Sequence, residues 1–117
     1  MKLVKTLSLC LILLASVSLS AQSSYAVDKS ASVVNWKGFK PTGEHYGTVT
    51  LADGKFEVNG TKIVGGSFKI DMNTIVDIDI PADSEYNAKL VNHLKSDDLF
   101  GVNKHPYATF EITSVEY

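Results

Sequence analysis

The sequence of 117 residues contains no arginine and only one cysteine, Cys10. Without arginine the chain has no fork-shaped guanidinium group for bidentate binding of phosphate or carboxylate. The 11 basic residues are all lysines and stand against 13 acidic residues, so the net charge is −2. This balance excludes the basic surface that is typical of nucleic-acid binding. We therefore expect a neutral or apolar partner.

The N-terminal segment has the order of a secretory signal peptide. Lys2 and Lys5 precede an apolar run from Leu7 to Leu14, and small residues follow up to Ala21. This run is shorter than the roughly 20 apolar residues that a membrane-spanning helix needs. The order predicts a cleavable signal rather than a membrane anchor.

We therefore expect residues 1–21 to be a signal peptide and residues 22–117 to be periplasmic or secreted. Cys10 lies inside the apolar run and would be removed with it, so we do not expect it to be lipidated. The remaining chain has no cysteine, which excludes a disulfide and a thiolate metal site. Its folding must depend on hydrophobic burial.

Most of the chain after the signal peptide predicts short strands. Residues 32–39 (SVVNWKGF) are rich in β-branched and aromatic side chains. Residues 40–47 contain proline and two glycines and indicate a loop. Residues 48–58 alternate between apolar and polar side chains, which is the period of a strand.

Three glycine-containing pairs predict turns or bends. The pairs 53–54 (Asp-Gly) and 59–60 (Asn-Gly) suit hairpin turns that need positive φ. The pair 65–66 (Gly-Gly) lies within a strand-like stretch and indicates a bulge or sharp bend. Such curvature favours a sheet that closes into a barrel.

Residues 68–80 contain two further segments in which apolar and polar side chains alternate. Phe68, Ile70 and Met72 occupy alternate positions and would lie on the same face of a strand. Their apolar side chains predict that this face is buried. Further on, Asp77 and Asp79 resemble a pair of carboxylates, but they alternate with isoleucines. The simplest interpretation is that both aspartates lie on a solvent face.

One helix is predicted between strands. Asp83 or Ser84 is a candidate N-cap, and Leu90, Val91 and Leu94 form one apolar stripe. Beyond this helix, residues 108–112 alternate again as a strand. The apolar parity changes at residues 113–114, which indicates a bulge or the end of the strand.

These patterns predict a mainly β fold, an antiparallel barrel with one helix between strands. One short helix is too small to cover the apolar faces of all strands, so the sheet must close or pack on another sheet. A ligand-enclosing barrel needs about eight strands, more than the sequence shows. We therefore expect this chain to be a fragment, and we expect residues 22–117 to fold poorly alone because apolar lining and strand edges would be exposed.

Catalytic and metal motifs have little support in the sequence. His93, Asp97 and Asp98 have a spacing that suits a metal on a helix, but adjacent acids at a helix C-terminus favour an exposed joint between helix and strand. His45 lies among glycines and is either a loop contact or a contact to a ligand head group. No Gly-x-Ser-x-Gly nucleophile motif and no catalytic cysteine are present. We expect no catalytic residues and no metal site.

Four segments together resemble the YceI-like family. Residues 93–113 (HLKSDDLFGVNKHPYATFEIT) are similar to its signature, and residues 27–38, 42–49 and 65–75 follow the family in the expected order. The resemblance covers essentially all of residues 22–117. It implies a periplasmic, lipocalin-like barrel, of which this chain is the N-terminal part.

The resemblance also implies a ligand, a long isoprenoid lipid of the quinone or polyprenyl type held in an apolar lumen. It implies no catalytic cofactor and no nucleic-acid partner, and it leaves transient contact with a membrane or membrane proteins and the oligomeric state open. His45 and His93 are candidate polar contacts. The candidate lining residues are Trp36, Val49, Leu51, Phe68, Ile70, Leu94, Phe100, Phe110 and Ile112.

Two other functions are left open at this point. One is an enzyme that modifies a lipid or quinone, with His45 or His93 as acid–base. The other is an envelope stress protein with a filled interior and no ligand. The sequence does not separate a hollow barrel from a filled one.

Overall fold

The computed structural model describes residues 22–117, and the signal peptide predicted for residues 1–21 lies outside them. The described chain forms five strands and one helix. In chain order these are β1 Gln22–Ala26, β2 Val34–Lys40, β3 Gly43–Asn59, β4 Lys62–Asp77, α1 Glu85–Lys95 and β5 Tyr107–Ile112.

The strands form one antiparallel sheet organised around β3. Strand β4 pairs with β3 along most of its length, whereas β1 and β2 pair with opposite ends of β3. Strand β5 pairs with β4 on its far side. The sheet curls into a half-barrel, which confirms the predicted mainly β, incomplete lipocalin-like barrel.

The hairpin predicted at residues 59–60 is confirmed. Asn59 pairs with Lys62, so Gly60 and Thr61 are the two central residues of the turn between β3 and β4. Gly60 has φ of 64°. Glycine adopts this left-handed conformation without a steric cost, and a first central glycine is the mark of a type II′ turn.

The hairpin predicted at residues 53–54 is wrong, because β3 continues through both residues. Leu51 pairs with Ile70 and Asp53 with Lys69, so Ala52 is an extra residue in a bulge. A Cβ on Gly54 would lie 2.9 Å from Cδ1 of Phe68. A side chain here would force the Phe68 ring to shift, so glycine favours close packing within the sheet. Pairing with β4 and the hydrogen bond from the Val27 N–H to the Gly54 carbonyl at 2.8 Å outweigh the local turn preference.

The loop predicted over residues 40–47 is also mostly wrong. Strand β2 ends at Lys40 and β3 begins at Gly43, which leaves Pro41 and Thr42 as the connection. A Cβ on Gly47 would lie 1.8 Å from the carbonyl oxygen of Val76. This glycine therefore permits two strands to approach closely, and His45 lies in a strand rather than in a loop.

The bend predicted at residues 65–66 is confirmed. Glu57 pairs with Gly65 and Val58 pairs with Ile63, so Val64 is an extra residue on β4. The parity change at residues 113–114 follows the end of β5 at Ile112. The first irregularity was predicted from the glycine pair and the second from the change of apolar parity.

The helix is confirmed, with Ser84 rather than Asp83 as its N-cap. The Ser84 hydroxyl accepts a hydrogen bond from the backbone N–H of Tyr86 at 3.2 Å. The helix packs against β4 and covers a core of Val49, Met72, Ile75 and Val102. Among the described residues, no helix has the length and apolar character needed to cross a membrane.

Candidate functional site

An apolar groove of about 460 Å³ lies on the part of the sheet that α1 does not cover. Three aromatic rings run across it. Phe56 and Phe68 meet edge to face at 5.1 Å between ring centroids, and Phe68 lies 6.1 Å from Phe110. The groove residues are Val27, Ser32, Val33, Val34, Leu51, Phe56, Phe68, Ile70 and Phe110.

The groove contains four of the residues predicted to line a ligand cavity: Leu51, Phe68, Ile70 and Phe110. These four come from β3, β4 and β5, where pairing of Leu51 with Ile70 and of Phe68 with Phe110 places them side by side. Phe110 remains 58% exposed. Their role in ligand binding stays a prediction.

Three other predicted lining residues belong to the core between α1 and the sheet. Val49 is one of the buried core residues, and Trp36 and Leu94 are partly buried and pack against that core. The indole Nε1 of Trp36 donates a hydrogen bond to the Val76 carbonyl at 2.9 Å, which fixes the ring between β2 and β4. These side chains lie outside the groove.

The last two predicted lining residues also lie outside the groove. Ile112 lies in a separate recess with charged neighbours, including Lys55 and Glu57. Phe100 follows the helix and is 50% exposed. The structure therefore does not bring all nine predicted side chains into one cavity.

Sequence reasoning missed several groove residues, of which Phe56 is the most informative. Its alternation with Val58 was visible, but the turn expected at residues 53–54 separated it from Leu51. Because β3 is continuous, Leu51 and Phe56 lie on the same groove. Val33 and Val34 were visible as a β-branched pair in a predicted strand, but that pattern does not specify a ligand surface.

The region around His93 has the geometry of an exposed helix end. The His93 side chain is 59% exposed, and its Nε2 lies 3.6 Å from Oδ2 of Asp98. Asp97 instead forms an ion pair with Lys104 at 3.3 Å. The three residues therefore do not converge, in agreement with the predicted joint between helix and strand.

A polar cluster of His45, Asp77 and Asp79, here termed the His45 cluster, lies where β3 begins and β4 ends. His45 Nδ1 is 2.7 Å from Oδ2 of Asp79. One ligand atom from each of the three side chains lies within 4.8 Å of the other two. Sequence reasoning considered His45 alone and did not connect it with the aspartates.

The solvent face predicted for Asp77 and Asp79 is wrong. Asp77 is only 7% exposed, whereas Ile78 is 57% exposed. The cause is a change of phase within β4: Thr48 pairs with Val76 but Thr50 pairs with Asp71, which leaves four residues of β4 opposite one of β3. After this bulge, the odd-numbered side chains Ile75 and Asp77 point inward, whereas Val76 and Ile78 point outward.

Backbone hydrogen bonds hold both aspartates in place. The N–H of Ile80 donates to Oδ1 of Asp77 at 2.8 Å, and the N–H of Tyr46 donates to Oδ1 of Asp79 at 2.9 Å. A bond from the N–H of Ile78 to the Tyr46 carbonyl at 2.9 Å ties the end of β4 to β3. The cluster is therefore fixed by the backbone of both strands.

The two carboxyl groups have opposite electrostatic environments. Burial, together with the neighbouring Asp79 carboxylate, raises the pKa of Asp77. Hydrogen bonding to Asp77, to the Tyr46 N–H and to His45 holds the pKa of Asp79 well below its usual range. Among the described residues, Oδ2 of Asp77 is a buried side-chain oxygen without a hydrogen-bond donor.

Comparison with protein families identifies the chain. The model of the YceI-like domain matches residues 25–117. The chain belongs to the YceI-like family. Comparison with curated proteins and with solved structures finds no match. The match extends over β2 to β5 and α1, so both the groove and the His45 cluster lie within the YceI-like domain.

Proposed function

We propose that this YceI-like domain binds a long isoprenoid lipid, of the quinone or polyprenyl type, as a non-catalytic carrier or store. The observation that supports this most directly is the groove. Eight of its nine lining residues have apolar side chains, and it stays open on a sheet whose other end is covered by α1. A contiguous exposed apolar surface of this kind is typical of a ligand or partner site.

The size and chemistry of the groove suit a branched hydrocarbon chain. Each buried methylene contributes about 0.8 kcal/mol, so a chain of several isoprene units gains enough to bind without polar contacts. No lysine, aspartate or glutamate lines the groove. The absence of arginine from the chain favours a neutral head group over a doubly charged phosphate.

A binding role is further supported by the one polar residue in the groove. The Ser32 hydroxyl donates to the backbone carbonyl of Asp28 at 2.6 Å. It therefore faces a carbonyl instead of the general base that would activate a nucleophile. We infer that the groove holds its ligand and does not modify it.

We further propose that the protein works in the periplasm or outside the cell. This rests on the signal-like order of residues 1–21. Transient contact with a membrane would then supply the lipid, because an isoprenoid chain has negligible solubility in water.

The test is mass spectrometry of an organic extract from the purified protein. We expect a long-chain lipid in near-equimolar amount from the wild type. Phe110→Asp places a charge in the groove at a side chain that is 58% exposed, so folding should persist while bound lipid falls at least fivefold. Phe39→Asp is the matched control, because Phe39 is 77% exposed and lies outside the groove.

The proposal is abandoned if the wild-type extract contains no lipid, or if Phe110→Asp retains as much lipid as Phe39→Asp. Circular dichroism of both variants distinguishes a loss of binding from a loss of fold.

A further inference from the structure

We propose that the His45 cluster is a binding site for one divalent transition-metal ion, held by one imidazole nitrogen and two carboxylate oxygens. This site is independent of the lipid proposal, since none of its three residues lines the groove.

The first argument is the arrangement of the donors. Each aspartate uses Oδ1 to accept a backbone N–H, from Ile80 for Asp77 and from Tyr46 for Asp79. Oδ2 of each carboxylate is then available, and Oδ2 of Asp79 already faces Nδ1 of His45. Outer hydrogen bonds that orient the ligating groups in this way are typical of metal sites.

The second argument is the unpartnered oxygen. Asp77 is 93% buried, since 7% of its surface is exposed, yet no donor group reaches its Oδ2. Its hydrogen bond with Asp79 needs a proton between the two carboxyl groups, so the ionised pair has no partner for this oxygen. Buried carboxylate oxygens are ordinarily paired with a donor, a cation or a metal. The neighbouring groups in the cluster are a second carboxylate and an imidazole, and a cation between the three satisfies all of them at once.

The donor set indicates the class of ion. Imidazole with carboxylate suits zinc and neighbouring transition metals, whereas calcium and magnesium prefer sites built from oxygen alone. Donors around a tetrahedral zinc are roughly 3.3 Å apart, given metal–ligand distances of about 2.0–2.2 Å. The contact of 2.7 Å between His45 and Asp79 needs to open only slightly, with loss of the proton between them.

Two residues of the cluster, His45 and Asp79, are partly exposed to solvent. The side chains of His45 and Asp79 are 27% and 18% exposed. An ion can therefore enter from solvent, and the remaining coordination positions are open to water. With three protein ligands, the arrangement matches an open rather than a closed metal site.

The experiment is isothermal titration calorimetry of the tag-free full chain with Zn²⁺, and with Mg²⁺ for comparison. We expect one Zn²⁺ per chain and much weaker Mg²⁺ binding. Asp77→Asn and His45→Gln should each weaken Zn²⁺ binding at least tenfold. His105→Gln is the control, because His105 is exposed and lies outside the cluster.

A second measurement tests whether the ion binds at the His45 cluster. Trp36 is the single tryptophan of the chain, and its indole is bonded to the carbonyl of Val76, the residue before Asp77. Co²⁺ should therefore quench tryptophan fluorescence in the wild type and in His105→Gln, but not in His45→Gln at the same concentration.

The inference is overturned if the wild type fails to bind Zn²⁺ at millimolar concentration, or if the folded His45→Gln variant binds as tightly as the wild type. Equal losses in His105→Gln and His45→Gln would also overturn it, since they would indicate scattered surface histidines. If Asp77→Asn does not fold, His45→Gln decides the result alone.

Discussion

The two halves of the sheet have similar sequence patterns and different surroundings. Beneath α1, Ile75 and Val102 are 2% exposed and Met72 is 7% exposed. In the groove half, the rings of Phe56, Phe68 and Phe110 contact one another while Phe110 stays 58% exposed. The apolar strand face is therefore closed where α1 covers it, whereas in the groove half the exposure ranges from 8% for Leu51 to 58% for Phe110.

The largest expected effect of a substitution in the covered half is that of Gly47→Ala. The added Cβ would lie 1.8 Å from the Val76 carbonyl oxygen, which belongs to the backbone and cannot turn away. We expect the free energy of unfolding to fall by about 4 kcal/mol or more, because two strands must separate. Urea denaturation measures this.

Gly38→Ala is the matched control on β2. Its Cβ would make an ordinary contact of 3.8 Å with the ring of Trp36. It should leave stability within about 0.5 kcal/mol of the wild type. If both variants lost the same free energy of unfolding, the close approach of Gly47 to the Val76 carbonyl would not be the cause.

Truncation of one side chain in each half tests the comparison directly. Ile75→Ala removes a side chain that is 2% exposed, so we expect a loss of about 3 kcal/mol from transfer and cavity terms. Phe110→Ala removes a larger side chain that is 58% exposed, and we expect a loss below about 1 kcal/mol. Thermal denaturation of lipid-free protein measures both, and a larger loss for Phe110→Ala would contradict the division into core and groove.

Asp77→Asn should change stability in the opposite direction. The pKa of Asp77 is raised in the folded chain, so its stability contribution is present below its unfolded pKa and is lost as pH rises through the folded pKa. Near pH 7, the neutral asparagine should therefore increase the free energy of unfolding by about 1 kcal/mol in the presence of a chelator.

This gain should disappear in acid, where Asp77 is itself neutral. Chemical denaturation at neutral and acidic pH provides the comparison. Added Zn²⁺ should stabilise the wild type and not the variant. If Asp77→Asn were less stable than the wild type at neutral pH, burial would not be disfavouring the charged form of Asp77.

The smallest effect is expected at the exposed rim between β1 and β2. There the Ser30 hydroxyl and the N–H groups of Ala31 and Ser30 lower the pKa of Asp28. A lowered pKa contributes stability above the unfolded pKa that is lost as pH falls through the folded pKa. Asp28→Asn should therefore lower Tm slightly at neutral pH, and the difference from the wild type should shrink as pH falls through the folded pKa of Asp28.

Local signals in the sequence predicted local structure well. The helix, the turn at residues 59–60 and the bend at residues 65–66 each depend on a few neighbouring residues. The pair Asp53-Gly54 has the same turn chemistry as Asn59-Gly60, but it lies in mid-strand because β4 pairs with both residues. On the other side, the N–H of Val27, just after β1, donates to the Gly54 carbonyl at 2.8 Å. Turn preference is small compared with the hydrogen bonds that hold these residues in the sheet.

The candidate site was less predictable than the fold. Four of nine proposed lining residues share the groove, because strand parity identifies an apolar face but does not indicate where a helix will cover it. The His45 cluster was missed since it joins residues 32 to 34 positions apart in the chain. The bulge in β4 also exchanges the inward and outward faces of the strand, so Asp77 is buried although alternation predicted that it would be exposed.

The sequence by itself determined the family, the mainly β class with one helix, and the lack of arginine and cysteine chemistry in the described domain. These follow from composition, short-range periodicity and spaced motifs. Only the tertiary structure decided which apolar face stays open, which glycines separate packed strands, and that Asp77 points inward beside His45. These depend on register, and one extra residue in a strand changes the face on which every later side chain lies.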